Sequence, residues 1–300
     1  MITLRRVLVP LGAACNLHCK YCLRDNGKTR VSGFTDLMRE FFRTLNPIDT
    51  DAVVFTGGEP LLYWKRILEA LNYIPENVNV RIISNGTLLT EEMVRIINER
   101  GIALAVSWDG REATEKLRGA DIMKDERLVS LMKKVDRLDI LSVITKYNTD
   151  VSKIEGEIRE IFGSKTVGFF HGLVLRTPFN QWMIDGFNDL EYIRSIRELR
   201  THTPNIPVES RKYAYHGCDG LNVLPNGDVV SMVDMTKKYG TVENTIEEIL
   251  ARKRELGDYE ECERRICPIR SVCEIQSQWA SPLHCRMHRL DWSMRMQEKV

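Results

Sequence analysis

Three of the eight cysteines in this chain of 300 residues fall close together near its start: Cys15, Cys19 and Cys22, in the run CNLHCKYC. They follow the apolar run Val7 to Leu11, so a strand would deliver them onto a loop. Three thiolates at C-x3-C-x2-C spacing can hold three irons of a cubane iron-sulfur cluster and leave the fourth iron without a protein ligand. A fully ligated cluster only carries electrons, whereas an open iron offers a position for a small molecule. A zinc knuckle is the first alternative, but structural zinc sites usually pair two such knuckles. Leu11-Gly-Ala-Ala-Cys15 also has the shape of a lipoprotein signal, yet Val7 to Ala14 is a minimal apolar segment and contains Pro10.

A second motif, Val53-Val-Phe-Thr-Gly57-Gly58-Glu59-Pro60, takes an apolar strand into a glycine pair and a carboxylate. Glycines let a backbone approach a ligand closely, and a carboxylate at a strand end can accept hydrogen bonds from an ammonium group. Taken alone, the same run makes a tight turn. The other five cysteines lie in the last third: Cys218, Cys262, Cys267, Cys273 and Cys285. The last four can supply the thiolates of a fully ligated cluster, or of a zinc site, since the ligand type does not separate the two.

The elements that position these residues follow from periodicity. Helical patterns cover Thr35 to Leu45, Leu61 to Tyr73, Thr90 to Arg100, with Thr90 as N-cap, and Val151 to Phe162. Strand patterns cover Ala52 to Phe55, Val78 to Ile83, Ile102 to Val106, Ile140 to Ile144 and Val167 to Leu175. Together with the first strand, this alternation predicts parallel strands covered by helices, an α/β partial (β/α)6 barrel. Barrel chemistry sits at the C-terminal strand ends, and the polar signals fall there: the cysteine loop, GGEP, Ser84-Asn85-Gly-Thr87, Ser107-Trp-Asp-Gly110 and Thr145-Lys-Tyr-Asn148. Met93, Ile96 and Ile97 fit the buried face of a helix, and the charges of Glu191 to Arg200 a solvated one. His171, His202 and His216 read as structural. Pro178 and the stretch Thr201 to Pro207 suggest a linker, and Asn226-Gly227 between Leu224 and Val230 a hairpin turn.

The cysteine triad followed by GGEP resembles the radical S-adenosylmethionine (SAM) superfamily, over most of the first 200 residues. The resemblance implies that Cys15, Cys19 and Cys22 bind a [4Fe-4S] cluster and that SAM chelates the open iron. Reductive cleavage of SAM to a 5′-deoxyadenosyl radical would then abstract hydrogen from a substrate. It also implies Tyr21 near the adenine, Gly57, Gly58 and Glu59 near the SAM amino group, and Ser84, Asn85 and Ser107 toward ribose or carboxylate. Strand-end capping explains Ser84, Asn85 and Ser107 equally well, and packing explains Tyr21.

The last hundred residues resemble the SPASM/Twitch extensions of radical SAM enzymes that modify peptides. Met232 stands where a cysteine commonly follows the family's hairpin, and the final cysteine spacing is unusual. The expectation is therefore a single auxiliary [4Fe-4S] cluster on Cys262, Cys267, Cys273 and Cys285. Cys218 is left as a substitute ligand, a packed side chain or a catalytic hydrogen-atom donor. The expected division is a radical SAM partial barrel over 1–205 and a small C-terminal iron-sulfur domain over 206–300.

Composition bounds the rest. A hydrophobic fraction of 43% supports one large domain or a large and a small one, and a net charge of +1 gives no general affinity for nucleic acid or membrane. No apolar run is long enough to span a bilayer. Cysteine usage without a convincing secretory signal suits metal ligands in a reducing compartment, hence a cytoplasmic protein. The leading reading is a radical SAM enzyme acting on a peptide or protein in natural-product maturation. It needs an electron donor, and, as the chain starts almost at its first strand, any leader binding would need a separate partner protein. The rivals are a radical dehydrogenase of a small-molecule alcohol and a non-catalytic iron-sulfur or zinc scaffold; the GGEP motif argues against the scaffold.

Overall fold

The computed structural model describes residues 6–22, 33–48, 50–173, 183, 185–192, 194–195, 220–230 and 237–256. Strands and helices alternate from the first strand onward: β1 (Arg6–Pro10), α1 (Asp36–Thr44), β2 (Ala52–Thr56), α2 (Trp64–Leu71), β3 (Val80–Ser84), α3 (Glu91–Glu99) and β4 (Ala103–Ser107). The series continues with α4 (Arg111–Arg118), α5 (Glu126–Lys134), β5 (Leu138–Ile144), α6 (Val151–Phe162) and β6 (Gly168–Leu173). Strands β1 to β6 pair in parallel in chain order, each with its neighbour. Among the described residues β6 does not pair with β1, so the sheet is an open α/β barrel of the expected (β/α)6 type.

The open edge at β1 is extended by a further element. Strand β7 (Gly220–Val223) pairs in parallel with β1, and β8 (Asp228–Val230) and β9 (Lys238–Thr241) follow antiparallel, ahead of helix α7 (Ile246–Glu255). The expected hairpin is present: Asn222 faces Val230 and Val223 faces Val229, with the Asn226 side chain accepting from the Asp228 amide at 3.1 Å. It is tied to the start of α1 by the Thr35 amide donating to the Pro225 carbonyl at 3.0 Å. Sequence patterns find the hairpin turn but not the parallel pairing of its first strand with β1, because that pairing joins segments far apart in the chain.

Burial explains which residues form which layer. Strand β4 is buried along both faces from Ala103 to Val106, as a central parallel strand must be. Strands β3 and β5 instead alternate between buried and half-buried positions. Helices start on side-chain caps: Thr35, Thr90, Asp125 and Asp150 accept from the amides of Met38, Met93, Leu128 and Lys153. Each such cap is worth about 1 kcal/mol.

Three expectations are corrected. The stretch Leu61 to Tyr73 opens with a 3-10 turn, Pro60–Tyr63, and α2 ends at Leu71, because Asn72 and Tyr73 donate back in tighter turns to Glu69 and Ala70. In α3 the fully buried pair is Val94 and Ile97, while Met93 and Ile96 are half-buried; the apolar stripe is rotated by a residue. Helices α4 and α5 are additions to the expected set: α4 has few apolar positions between its charges, whereas Leu128, Leu131 and Met132 of α5 do carry a helical spacing and are buried. Helix α6 has the expected bounds. Pro178, the stretch Thr201 to Pro207, His202, His216 and Met232 lie outside the described residues.

Candidate functional site

The cysteine loop leaves β1 after Pro10 and is fixed by the neighbouring strand end before any cysteine is reached. The Gly58 amide donates to the Gly12 carbonyl and the Glu59 amide to the Ala14 carbonyl, both at 2.8 Å. A Cβ on Gly58 would stand 2.1 Å from the Ala14 oxygen, and one on Gly12 would stand 2.1 Å from the Tyr63 ring. Only glycine allows backbones this close. The Tyr63 hydroxyl accepts from the Ala14 amide at 3.2 Å, and Arg66, stacked on the Tyr63 ring, donates to the Leu11 carbonyl at 2.6 Å.

Glu59 is 1% exposed, and both of its carboxylate oxygens accept hydrogen bonds. One oxygen accepts from the Leu61 amide at 2.9 Å and the Ser84 hydroxyl at 2.8 Å; the other accepts from the Asn85 amide at 2.8 Å. Burial nevertheless outweighs these bonds and holds the carboxyl above its ordinary pKa range. Glu59 thus joins the ends of β2 and β3, with Ser84 taking part as a donor. Asn85 reaches further, donating to Asn16 at 2.8 Å and standing 3.8 Å from the Cys15 sulfur. Thr87 accepts from Asn16 at 2.7 Å and donates to Asn85 at the same distance. Ser107 ends β4, and its hydroxyl has no hydrogen-bond partner among the described residues.

Tyr21 is locked from the other side of the loop. Its hydroxyl donates to Asp109, and the Arg118 guanidinium lies over its ring at 5.3 Å. Burial, then the Asp109 carboxylate, raise the Tyr21 pKa well above the ordinary value, so it stays a neutral donor. Asp109 is completely buried and also accepts from Arg118 at 2.7 Å and from the Val143 amide at 2.8 Å. Its amide donates to the Thr114 hydroxyl at 2.9 Å, and Asn148 donates to its carbonyl at 3.0 Å. Burial alone would lower the Arg118 pKa, but Asp109, Tyr21 and Cys19 outweigh it and hold it above the ordinary value, so the guanidinium is always charged. Of this group only Tyr21 stands out as a site residue in the sequence; Asp109 and Asn148 appear there as polar residues at strand ends. Arg118, Tyr63 and Arg66 carry no local signal, because their roles come from contacts far along the chain.

Cys15 and Cys19 are half-buried and Cys22 is exposed. The groups directed at their sulfurs are N–H donors: the Leu17 amide at 3.4 Å and Asn85 at 3.8 Å on Cys15, and Arg118 at 4.0 Å on Cys19. Burial pushes the Cys19 thiol up to about 11, against the pull of Arg118 and with help from Cys22, Asp109 and Cys15. Metal binding has to displace that proton. No three His, Cys, Asp or Glu side chains among the described residues converge on a single ion. A cubane spreads its ligands over separate irons, and N–H donors facing sulfur suit thiolate ligands, so the donor set fits a [4Fe-4S] cluster. Cys218, Cys262, Cys267, Cys273 and Cys285 lie outside the described residues.

An open α/β barrel with three cysteines on the loop after its first strand is the framework of enzymes that pair an iron-sulfur cluster with SAM. Residues 9–149 match the family model of the Radical SAM superfamily, and the chain carries a radical SAM domain over that stretch. Such a domain implies SAM and a [4Fe-4S] cluster as cofactors. A serine-type anaerobic sulfatase-maturating enzyme of Klebsiella aerogenes is 30% identical over 128 residues, covering 38% of this chain and 32% of that protein. A cysteine-type anaerobic sulfatase-maturating enzyme of Clostridium perfringens is 30% identical over 167 residues, covering 48% and 45%. The matched part of the chain thus spans about a third to nearly half of the length of these relatives. Among solved structures, native anSMEcpe with bound AdoMet matches with a TM-score of 0.68 at 17% identity, over 98% of this chain and 97% of that one. Streptococcus suis SuiB bound to S-adenosylmethionine matches with a TM-score of 0.65 at 15% identity, over 90% and 72%. At these identities the structural likeness is one of fold.

Proposed function

We propose that this chain is a radical SAM enzyme that modifies a peptide or protein substrate. The observation that carries the reading is the cysteine loop: three thiols at C-x3-C-x2-C spacing, at the carboxyl end of the first barrel strand, with N–H donors directed at two of their sulfurs. In this reading Cys15, Cys19 and Cys22 hold the cluster. When bound, the cluster and SAM supply a carbon-centred radical able to abstract hydrogen from an unactivated position. Gly57 and Gly58 keep the end of β2 against the loop, Glu59 and Ser84 brace the ends of β2 and β3, and Asn85 and Tyr21 flank the cysteines. Ser107, with its hydroxyl uncommitted, is the available donor at the end of β4 for a ribose or carboxylate.

The choice of a peptide or protein substrate rests on the sulfatase-maturating relatives and on the fold shared with SuiB, which has been solved bound to the precursor peptide SuiA. The reading includes the division into a radical SAM barrel over 1–205 and a C-terminal domain over 206–300. It also includes an auxiliary [4Fe-4S] cluster on Cys262, Cys267, Cys273 and Cys285, with Cys218 as a hydrogen-atom donor, an external electron donor, a separate leader-binding protein and a cytoplasmic location. No helix among the described residues is long and apolar enough to cross a membrane. The test is anaerobic reconstitution with iron and sulfide, then SAM and a one-electron reductant. Release of 5′-deoxyadenosine is expected, stimulated by the right peptide. Material with about eight irons per chain, as two cubanes require, that releases none would overturn the reading; stimulation by a small alcohol and not by peptides would overturn its substrate class.

A further inference from the structure

Among the described residues, Arg118 is a cation buried beside a cysteine far away in the chain. Its side chain is 8% exposed, that of its partner Asp109 is 0% exposed, and its outer nitrogen stands 4.0 Å from the Cys19 sulfur. A buried ion pair is weak evidence for stability, since apolar side chains of the same volume often serve as well. Asp109 has further donors in the Val143 amide and the Tyr21 hydroxyl, so its acceptor capacity does not rest on the guanidinium alone. The arrangement also aims the cation. Asp109 grips one edge of the guanidinium, Tyr21 covers its face, and the remaining edge is turned to sulfur. The loop is held to the end of α4 by the Lys20 amide donating to the Leu117 carbonyl at 2.8 Å, so Arg118 and Cys19 share one support. Among the described residues, the donors directed at Cys15 are the neutral N–H groups of Leu17 and Asn85.

We propose that Arg118, aimed by Asp109 and Tyr21, is a positioning residue that raises the reduction potential of the cluster on Cys15, Cys19 and Cys22 by placing a fixed positive charge at the Cys19 sulfur. The proposal rests on the assignment of those three cysteines as ligands. One-electron reduction adds negative charge to the cluster, and a nearby buried cation favours the reduced form; hydrogen bonds to the sulfurs and local charge are the protein's means of setting such potentials.

The test is a redox titration of the anaerobically reconstituted full chain, following the electron paramagnetic resonance signal that SAM perturbs. That signal belongs to the cluster with the open iron, so an auxiliary cluster does not confuse the reading. Arg118→Gln is expected to keep its iron and to shift the one-electron equilibrium at least tenfold toward the oxidised form, a fall of about 59 mV. Arg118→Lys keeps the charge and is expected to titrate nearer to the wild type than to the glutamine variant. If Arg118→Gln does not fold, the double variant Asp109→Asn with Arg118→Gln leaves no lone buried charge and is expected to show a smaller fall in potential, because the nearer guanidinium outweighs the carboxylate lost with it. A glutamine or double variant with full iron at the wild-type potential overturns the proposal, as does a lysine variant that falls as far as glutamine. A wild-type chain whose loop takes up no cluster sinks instead the assignment of the ligands on which it rests.

Discussion

Replacing Glu59 by glutamine separates its role in the framework from any role toward a ligand. The buried carboxylate accepts from two backbone amides, Leu61 and Asn85, and from the Ser84 hydroxyl, with Leu61 and Asn85 on different oxygens. A glutamine presents one oxygen and one NH2 group in the same place. Whichever way the amide is turned, one backbone N–H meets another donor, and only the Ser84 hydroxyl can rotate to adapt. A buried donor left without an acceptor costs about 1–3 kcal/mol. Glu59→Gln is therefore expected to lower the urea midpoint by an amount worth about 2 kcal/mol, with an unchanged slope. The loss should appear without SAM. Burial holds the Glu59 carboxyl above its ordinary range, so as pH falls the folded chain takes up this proton before the unfolded chain does. Its contribution then grows on mild acidification, and the gap between the two proteins changes with pH. A variant of wild-type stability that has lost only its response to SAM would refute the argument and make Glu59 a ligand-binding group.

Other perturbations follow from the same contacts. Gly58→Ala places a methyl group 2.1 Å from the Ala14 oxygen, so it should loosen the loop and lower iron uptake on reconstitution, measured as iron per chain. Asp109→Ala strands the Arg118 charge and is expected to cost about 3–5 kcal/mol in denaturant unfolding, as for a buried pair broken from one side. Thr90→Ala removes the side chain that accepts from the Met93 amide at the start of α3, and should cost about 1 kcal/mol while leaving iron content unchanged.

Local chemistry was legible in the sequence, and long-range contact was not. Strand and helix periods locate the barrel elements from β1 to β6 because each buries a face against the same core. They miss α4, whose apolar residues are few, α5, although its Leu128, Leu131 and Met132 keep a helical spacing, and the place of β7 beside β1, which is a matter of topology. At the site, Cys15, Cys19 and Cys22 announce themselves by spacing, and GGEP by its glycines. Glu59 is noticed for its position at a strand end, but of the three donors of its own chain that its carboxylate meets, Ser84 and Asn85 come from contacts no local pattern encodes. Arg118 is ordinary in sequence, a basic residue in the last turn of a charged helix. Its significance comes from contact with Cys19 and Tyr21, nearly a hundred positions earlier, which no local pattern encodes.

The proposed function stands on a cluster held by Cys15, Cys19 and Cys22 with one iron open to SAM. Its most direct measurement is the electron paramagnetic resonance spectrum of the reduced, reconstituted protein, recorded with and without SAM. Adding SAM is expected to change the signal of one cluster, and the change is expected to disappear in the triple variant Cys15→Ala, Cys19→Ala, Cys22→Ala. A spectrum indifferent to SAM in protein with its full iron, or a SAM-dependent change that survives loss of the three cysteines, would contradict the proposed function.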